Sequence, residues 1–143
     1  MRKRRWITFF TLICIAMLAA VCMTSCKDGK AEGRLVENTE TLVVIEVTET
    51  DGEATLFDVM EILQEEGKLT YTLSGTMIHS IGEKENAADF SACWMLYTSD
   101  TEMGNTEWGT YDYKGTSCAS AILGGDALTL VKGAYYVWVY TSF

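Results

Sequence analysis

The sequence predicts an α+β fold in which a mixed β-sheet is covered on one side by a single helix. Three observations lead to this fold class. Residues 41–48 are rich in β-branched side chains, residues 55–66 form one amphipathic segment, and several short apolar segments follow it. A helix between a first strand and a run of later strands is typical of α+β domains. Parallel pairing of the first strand with a later one would require a right-handed crossover.

The first predicted strand is Thr41–Thr48. Its residues alternate, so that Val43, Ile45 and Val47 share one face and Val44 shares the other face with polar side chains. This period of two predicts a half-buried strand. Asp51-Gly52 directly after it is typical of a turn.

The predicted helix runs from Thr55 to Glu66. Four apolar residues recur at helical spacing and therefore share one face. They are Leu56, Val59, Met60 and Leu63. Thr55, with Asp58 three residues later, can form an imperfect capping box, and Gly67 suits a left-handed stop.

Further strands are predicted wherever short apolar or alternating segments lie between turn residues. They cover residues 69–73, 77–81, 93–97, 126–131 and 134–140. Lys132-Gly133 between the last two suits a tight turn. Residues 104–115 are rich in glycine and polar side chains, which predicts a loop, with a short hairpin at 110–113 as the alternative.

Length and charge limit the classes of protein. The chain has 143 residues, which fits one domain with a short appendage. Its formal charge is −9, and four of its 11 basic residues lie in the first five positions. The remaining seven basic and 20 acidic residues give the rest of the chain a charge of −13. Because so acidic a body repels phosphate backbones, the sequence argues against nucleic-acid binding.

The N-terminal segment predicts export. A basic stretch, MRKRRW, precedes an uncharged apolar run at 7–21, as in a signal peptide. Met23-Thr-Ser-Cys26 resembles a bacterial lipobox, so we expect a lipoprotein signal peptide at 1–25 and an acylated Cys26, carrying chains such as palmitate. A permanent anchor or ordinary cleavage near Ala20 are the alternatives. Acylation places the protein on the extracytoplasmic face of the bacterial cell membrane, held to the bilayer.

The segment at 26–40 is polar and contains two glycines without apolar periodicity. This composition predicts a flexible tether between the lipid and the domain. The folded domain is then expected over residues 41–143.

Aromatic residues are the candidates for ligand binding. Trp108, Tyr111 and Tyr113 fall in the predicted polar loop, where rings are not needed for a core. They either contact a ligand or partner, or fold back as a lid. In the last strand, the aromatic face of Trp138 either packs against a loop or lines a groove. The aliphatic face, which begins at Tyr135, is expected to pack on the helix.

Cysteine and acidic residues offer little chemistry. Cys93 and Cys118 are either a disulfide pair or two free buried thiols. Pairing either thiol with His79 as a catalytic base would leave no acid to orient the histidine. The acids near position 102 do not have the spacing of a calcium loop. We therefore expect no enzyme activity, no catalytic residues, no metal site and no cofactor.

The order of these elements resembles a known family. The strand at 43–47, the helix at 55–63, Gly75-Thr-Met-Ile-His-Ser-Ile-Gly82, Cys93-Trp-Met-Leu-Tyr97 and the terminal segment at 131–141 carry the resemblance. They are similar to the transcobalamin-like C-terminal domain of bacterial surface lipoproteins and animal cobalamin carriers. The resemblance covers residues 41–143. It departs at Thr98-Ser-Asp100, where the family has an Asn-Gly turn, and in the longer segment at 100–117.

The resemblance implies a β-grasp-like fold and a non-catalytic binding module. Such a module captures a cobalamin or a similar bulky small molecule and presents it to a transporter or a surface complex. Trp108, Tyr111, Tyr113 and Trp138 are its expected contacts. The alternative is a module that contacts a protein or a glycan at the cell surface and binds no small ligand.

Overall fold

The structure is a computed structural model that describes residues 29–143. The signal peptide predicted over residues 1–25 and the acylated Cys26 lie outside the described residues. Within residues 29–143, no helix has the length and apolar composition needed to cross a bilayer.

The described chain forms two antiparallel sheets and one helix. The elements are β1 (Ala31–Asn38), β2 (Leu42–Thr50), α1 (Leu56–Glu65), β3 (Tyr71–Ser74), β4 (Met77–Ile81), β5 (Lys84–Glu85), β6 (Ala92–Thr98), β7 (Gly104–Tyr113), β8 (Thr116–Ala121) and β9 (Tyr135–Ser142). The larger sheet has the order β1-β2-β9-β6-β8-β7, and the smaller has the order β3-β4-β5.

The predicted fold class is wrong. Residues 29–143 are mostly β, with 53% strand and 9% helix, rather than a β-grasp-like α+β fold with a mixed sheet and one packed helix. All strand pairs between residues 29 and 143 are antiparallel. In particular, β2 pairs with β1 and β9 and takes part in no parallel crossover. The sequence predicts a tether and a loop for two polar segments, but both form strands. These extra strands change the fold class from α+β to mostly β.

The first of these segments contradicts the tether predicted over 26–40. Residues Ala31–Asn38 form β1, which pairs with β2 from Ala31↔Thr50 to Asn38↔Val43. An edge strand needs an apolar stripe on one face only, and here Ala31, Gly33 and Leu35 form that stripe, two of them small. Its mixed composition therefore looks like that of a linker.

The helix prediction is confirmed. All four residues of the apolar stripe are buried in α1. The Asp58 carboxylate accepts hydrogen bonds from the Thr55 backbone N–H at 2.8 Å and from Thr55 Oγ1 at 3.0 Å. At the other end Gly67 takes a φ of +71°, and the Lys68 N–H donates to the Leu63 carbonyl at 2.9 Å.

The strand predicted at 126–131 does not form. This segment is a turn followed by one isolated bridge between Thr129 and Thr55. Leu128 and Leu130 are both buried, so their alternation reflects burial of an irregular segment and not strand pairing. By contrast, the predicted loop at 104–115 lies mostly in the β7–β8 hairpin.

Strand β9 lies between two cores, and its faces are reversed from the prediction. The face carrying Tyr136 and Trp138 packs in the large core with α1. The aliphatic face, with Val137, packs in a smaller core against Val44, Tyr113 and Cys118. Helix α1 therefore lies over the aromatic face, and the β7–β8 hairpin covers the other.

Candidate ligand-binding cleft

An apolar cleft opens between the smaller sheet and the β6–β9 region of the larger sheet. Its volume is about 290 Å³. The walls are Phe57, Ile78, Trp94, Leu96 and Trp138, and the rim includes Met77 and Phe90. A second depression of about 210 Å³ shares Met77, Ile78, Asn86 and Phe90 with it. The cleft thus sits where rings from β6 and β9 meet the apolar side of β4.

The cleft carries no charged side chain. The described residues that line it include no Asp, Glu, Lys, Arg or His. Among the lining residues that the structure describes, Cys93 is the one titratable residue, and burial raises the pKa of its thiol, which favours the neutral form. A charged group moved into such surroundings would lose hydration without gaining a partner.

Trp94 is fixed in the wall by hydrogen bonds. Its indole Nε1–H donates to the Lys84 carbonyl at 2.9 Å, and its backbone N–H donates to Asn86 Oδ1 at 2.9 Å. Asn86 Nδ2 donates in turn to the Ile78 carbonyl at 2.7 Å. The Trp94 ring also meets Tyr140 edge-on, with centroids 5.5 Å apart. This side of the cleft is therefore preorganised.

Trp138 differs from Trp94 in its polar atom. The residue is 5% exposed and lines the cleft. Its Nε1–H is buried and has no hydrogen-bond partner among the described residues. Buried indole N–H groups usually find an acceptor, so this one is an unsatisfied donor on a residue that lines the cleft.

Phe90 stands at the rim in an uncommon backbone conformation. Its φ is +56°, in the left-handed region that bulky residues seldom adopt, and its side chain is 53% exposed. The Phe90 N–H donates to the Ala87 carbonyl at 2.9 Å, which closes a turn. Strained backbone of this kind clusters at binding sites.

Phe57 is held at the opposite side by close packing. Its backbone N–H donates to the Gly125 carbonyl at 3.0 Å. A Cβ on Gly125 would overlap the Phe57 ring. The glycine therefore sets the position of this wall, because any side chain there would push the ring away.

The four predicted ligand contacts are not brought together. Trp138 lies in the cleft, whereas the other three lie on β7. Tyr113 is buried in the small core, and Tyr111 packs against Tyr97 with centroids 5.9 Å apart, so both form the lid that was the alternative prediction. Trp108 is 62% exposed at the sheet edge.

Sequence reasoning missed Phe57 and Phe90. Phe57 lies next to the buried stripe of α1 and was overlooked because it is outside the helical period. Phe90 is a single aromatic residue in the polar segment Glu85–Ser91, and that isolation is a signal that could have identified it.

The candidate disulfide does not form. Cys93 and Cys118 are free, one partly buried and the other fully buried. The pair Thr98↔Ala119 places Cys118 beyond one end of β6, while Cys93 is near the other end. At about 3.3 Å per residue, their separation approaches ~20 Å, whereas a disulfide needs Cα atoms closer than ~7 Å.

A larger groove lies elsewhere and is charged. It has a volume of about 740 Å³ and runs between α1 and the ends of β1 and β2. Acidic residues such as Glu32, Asp58 and Glu66 line it together with Lys30 and Lys68. Within residues 29–143, no three His, Cys, Asp or Glu side chains converge to hold a metal ion.

No family model, curated protein or solved structure matches this chain. The functional argument therefore depends on the geometry of the cleft.

Proposed function

We propose that this protein is a membrane-anchored extracytoplasmic lipoprotein whose apolar cleft binds a small molecule without catalysis. The cleft between the two sheets is the observation that carries this proposal, because it combines concave apolar walls with a few convergent polar groups. The buried tryptophans form its floor, and the exposed side chains of Met77 and Phe90 offer contact area at its rim. Presentation of the bound molecule to a transporter or a surface complex is the corresponding cellular role.

The size of the cleft limits the part of a ligand that it can enclose. About 290 Å³ equals the volume of about ten water molecules in the liquid. This space suits one or two fused rings. A cobalamin, the ligand implied by the transcobalamin-like order of elements, would insert one planar group and leave its corrin ring against the rim.

Acylation of Cys26 would hold the domain close to the bilayer. Strand β1 begins at Ala31, five residues after Cys26. Five residues span at most ~18 Å when fully extended. The proposed tether is therefore short, and the domain would stay near a transporter in the same membrane.

Binding can be tested with the full chain in a zwitterionic detergent, with the aqueous ligand concentration fixed by dialysis. Equilibrium dialysis measures the amount of each ligand that the protein retains. We expect saturable binding of naphthalene and of cyanocobalamin. The Ala121→Phe variant places a ring at a lining position of the cleft and should lose this binding. Trp108→Phe, which lies outside the cleft, should keep it. No saturable retention of either ligand would rule out the proposal.

A second candidate function is a contact with a protein or a glycan through Trp108. Strand β7 pairs Asn105 with Ser120 and Thr110 with Ala119, so residues 106–109 loop out of the ladder. Asn105 Oδ1 accepts the Glu107 N–H at 2.9 Å and fixes this loop, which displays Trp108. Crosslinking on intact cells should then depend on Trp108 and be unaffected by Ala121→Phe. Equal crosslinking by the wild type and Trp108→Ala would exclude this role.

A further inference from the structure

The unpaired indole of Trp138 restricts the chemistry of the ligand. Its Nε1–H is buried, and no described residue accepts it. Trp94, in the same wall, donates its indole N–H to the Lys84 carbonyl at 2.9 Å. The two indoles therefore differ in their N–H groups. The Trp94 N–H is bonded within the fold, whereas the Trp138 N–H is left for an acceptor from outside the described chain.

The walls select for shape and charge. Phe57, Trp94 and Trp138 line the cleft, and aromatic side chains pack well against another flat ring. The absence of charged side chains among the described lining residues disfavours an ionised ligand. A negatively charged ligand would also be repelled by the net charge of −13 that the chain carries outside its first five residues.

Access of an acceptor to the buried donor requires movement of the wall, and Met77 lines the cleft. Methionine side chains are unbranched and adapt to an incoming ligand at little cost. Met77 is also more than half exposed, which leaves it room to move.

We infer that the cleft selects a flat, uncharged ring system bearing a hydrogen-bond acceptor, and that Trp138 Nε1–H donates to this acceptor. The inference rests on the proposed function, since it requires that the cleft bind a small molecule. It identifies Trp138 as the specificity-determining residue, while the remaining walls supply contact area.

Quinoline and naphthalene form a matched pair for the test. They have the same shape and are uncharged at neutral pH, but only quinoline carries an acceptor nitrogen. We expect the full chain to bind quinoline roughly three- to tenfold more tightly, as one hydrogen bond in a buried site provides. Affinities are measured by equilibrium dialysis. The Ala121→Phe variant in the same detergent measures the background of binding outside the cleft.

The donor is then removed without changing the shape of the side chain. Incorporation of benzothienylalanine at position 138 replaces the indole N–H by sulfur. The preference for quinoline should disappear, while naphthalene affinity stays the same. Equal affinities in the wild type, or a preference that survives the replacement, would overturn the inference and leave the proposed function standing. Failure of quinoline, naphthalene and cyanocobalamin alike to bind the wild type would instead reject the proposed function and the inference with it.

Discussion

The phenol of Tyr113 on β7 donates a hydrogen bond to Glu37 Oε2 on β1 at 3.1 Å. These two strands are the outer strands of the six-stranded sheet. Lys114 Nζ lies 3.2 Å from the same carboxylate oxygen and 5.0 Å from the centre of the Tyr113 ring. The β7–β8 hairpin therefore reaches across the sheet, and its tip closes the small core.

Replacing Tyr113 by Phe should lower the free energy of unfolding by about 1 kcal/mol. The change removes one hydrogen bond to a carboxylate and keeps the buried ring. Urea denaturation measures the effect, and Tyr111→Phe on the same strand serves as the control. Because Tyr113 is remote from the cleft lining, ligand affinity should not change. An unfolding free energy equal to that of the wild type would show that the contact does not hold the hairpin.

Two neighbouring positions of α1 test the packing of the helix. Leu63 is fully buried, whereas Ile62 is 43% exposed. Leu63→Ala should lower the free energy of unfolding by ~2–5 kcal/mol, because it leaves a cavity in the large core. Ile62→Ala should change it by less than about 0.5 kcal/mol. Similar losses at the two positions, measured by thermal and urea unfolding, would mean that α1 is oriented differently.

Asp51 should make the fold sensitive to acid. Its carboxylate accepts backbone N–H groups from Lys30 at 2.5 Å and from Glu53 at 3.0 Å, and these bonds lower its pKa in the folded state. A lowered folded-state pKa stabilises the protein at pH values above the unfolded pKa. That contribution is lost as the pH falls through the folded value.

The Asp51→Asn variant should therefore be less stable than the wild type at neutral pH. The difference should shrink as the pH falls through about 4 and below. Urea midpoints measured from neutral pH down to strong acid show this directly. A gap that stays constant over the whole range would mean that the carboxylate charge has no part in holding the start of β1.

Phe90 should lower the stability of the fold through its strained backbone and raise ligand affinity through its ring. Phe90→Gly removes the left-handed strain, whereas Phe90→Ala retains it, and both remove the ring from the rim. We expect the glycine variant to be more stable than the alanine variant by about 1 kcal/mol. Both should bind naphthalene more weakly than the wild type does. Equal stability of the two variants, by thermal unfolding, would show that the turn carries no strain.

The sequence predicts the elements whose periodicity is strong. The helical spacing from Leu56 to Leu63 and the alternation after Thr41 both correspond to elements in the structure. Strand β1 was missed because a solvated edge strand needs little apolar pattern. The alternation of Leu128 and Leu130 predicts a strand at 126–131, although only Thr129 in this segment forms a bridge. Alternating apolar residues indicate which side chains are buried. Strand formation also requires a neighbouring strand with free backbone hydrogen-bonding groups.

The candidate site was predictable only in part. Trp138 could be selected because it lies on the aromatic face of a strand, and the structure places it in the cleft. Trp94 lines the cleft while remaining buried. Neither Phe57 nor Phe90 carries a signal that links it to Trp138. Their meeting depends on how the smaller sheet packs against the larger one, which local patterns do not encode.

Binding in the cleft is tested most directly by NMR of the indole N–H groups during a quinoline titration. Trp138 lines the cleft with an unpaired N–H, Trp94 donates to Lys84, and Trp108 is exposed, so each tryptophan reports a different environment. We predict a saturable downfield shift of the Trp138 resonance, while the Trp94 N–H keeps its bond and Trp108 is unaffected. A titration that moves Trp108 and leaves Trp138 unchanged would contradict the account.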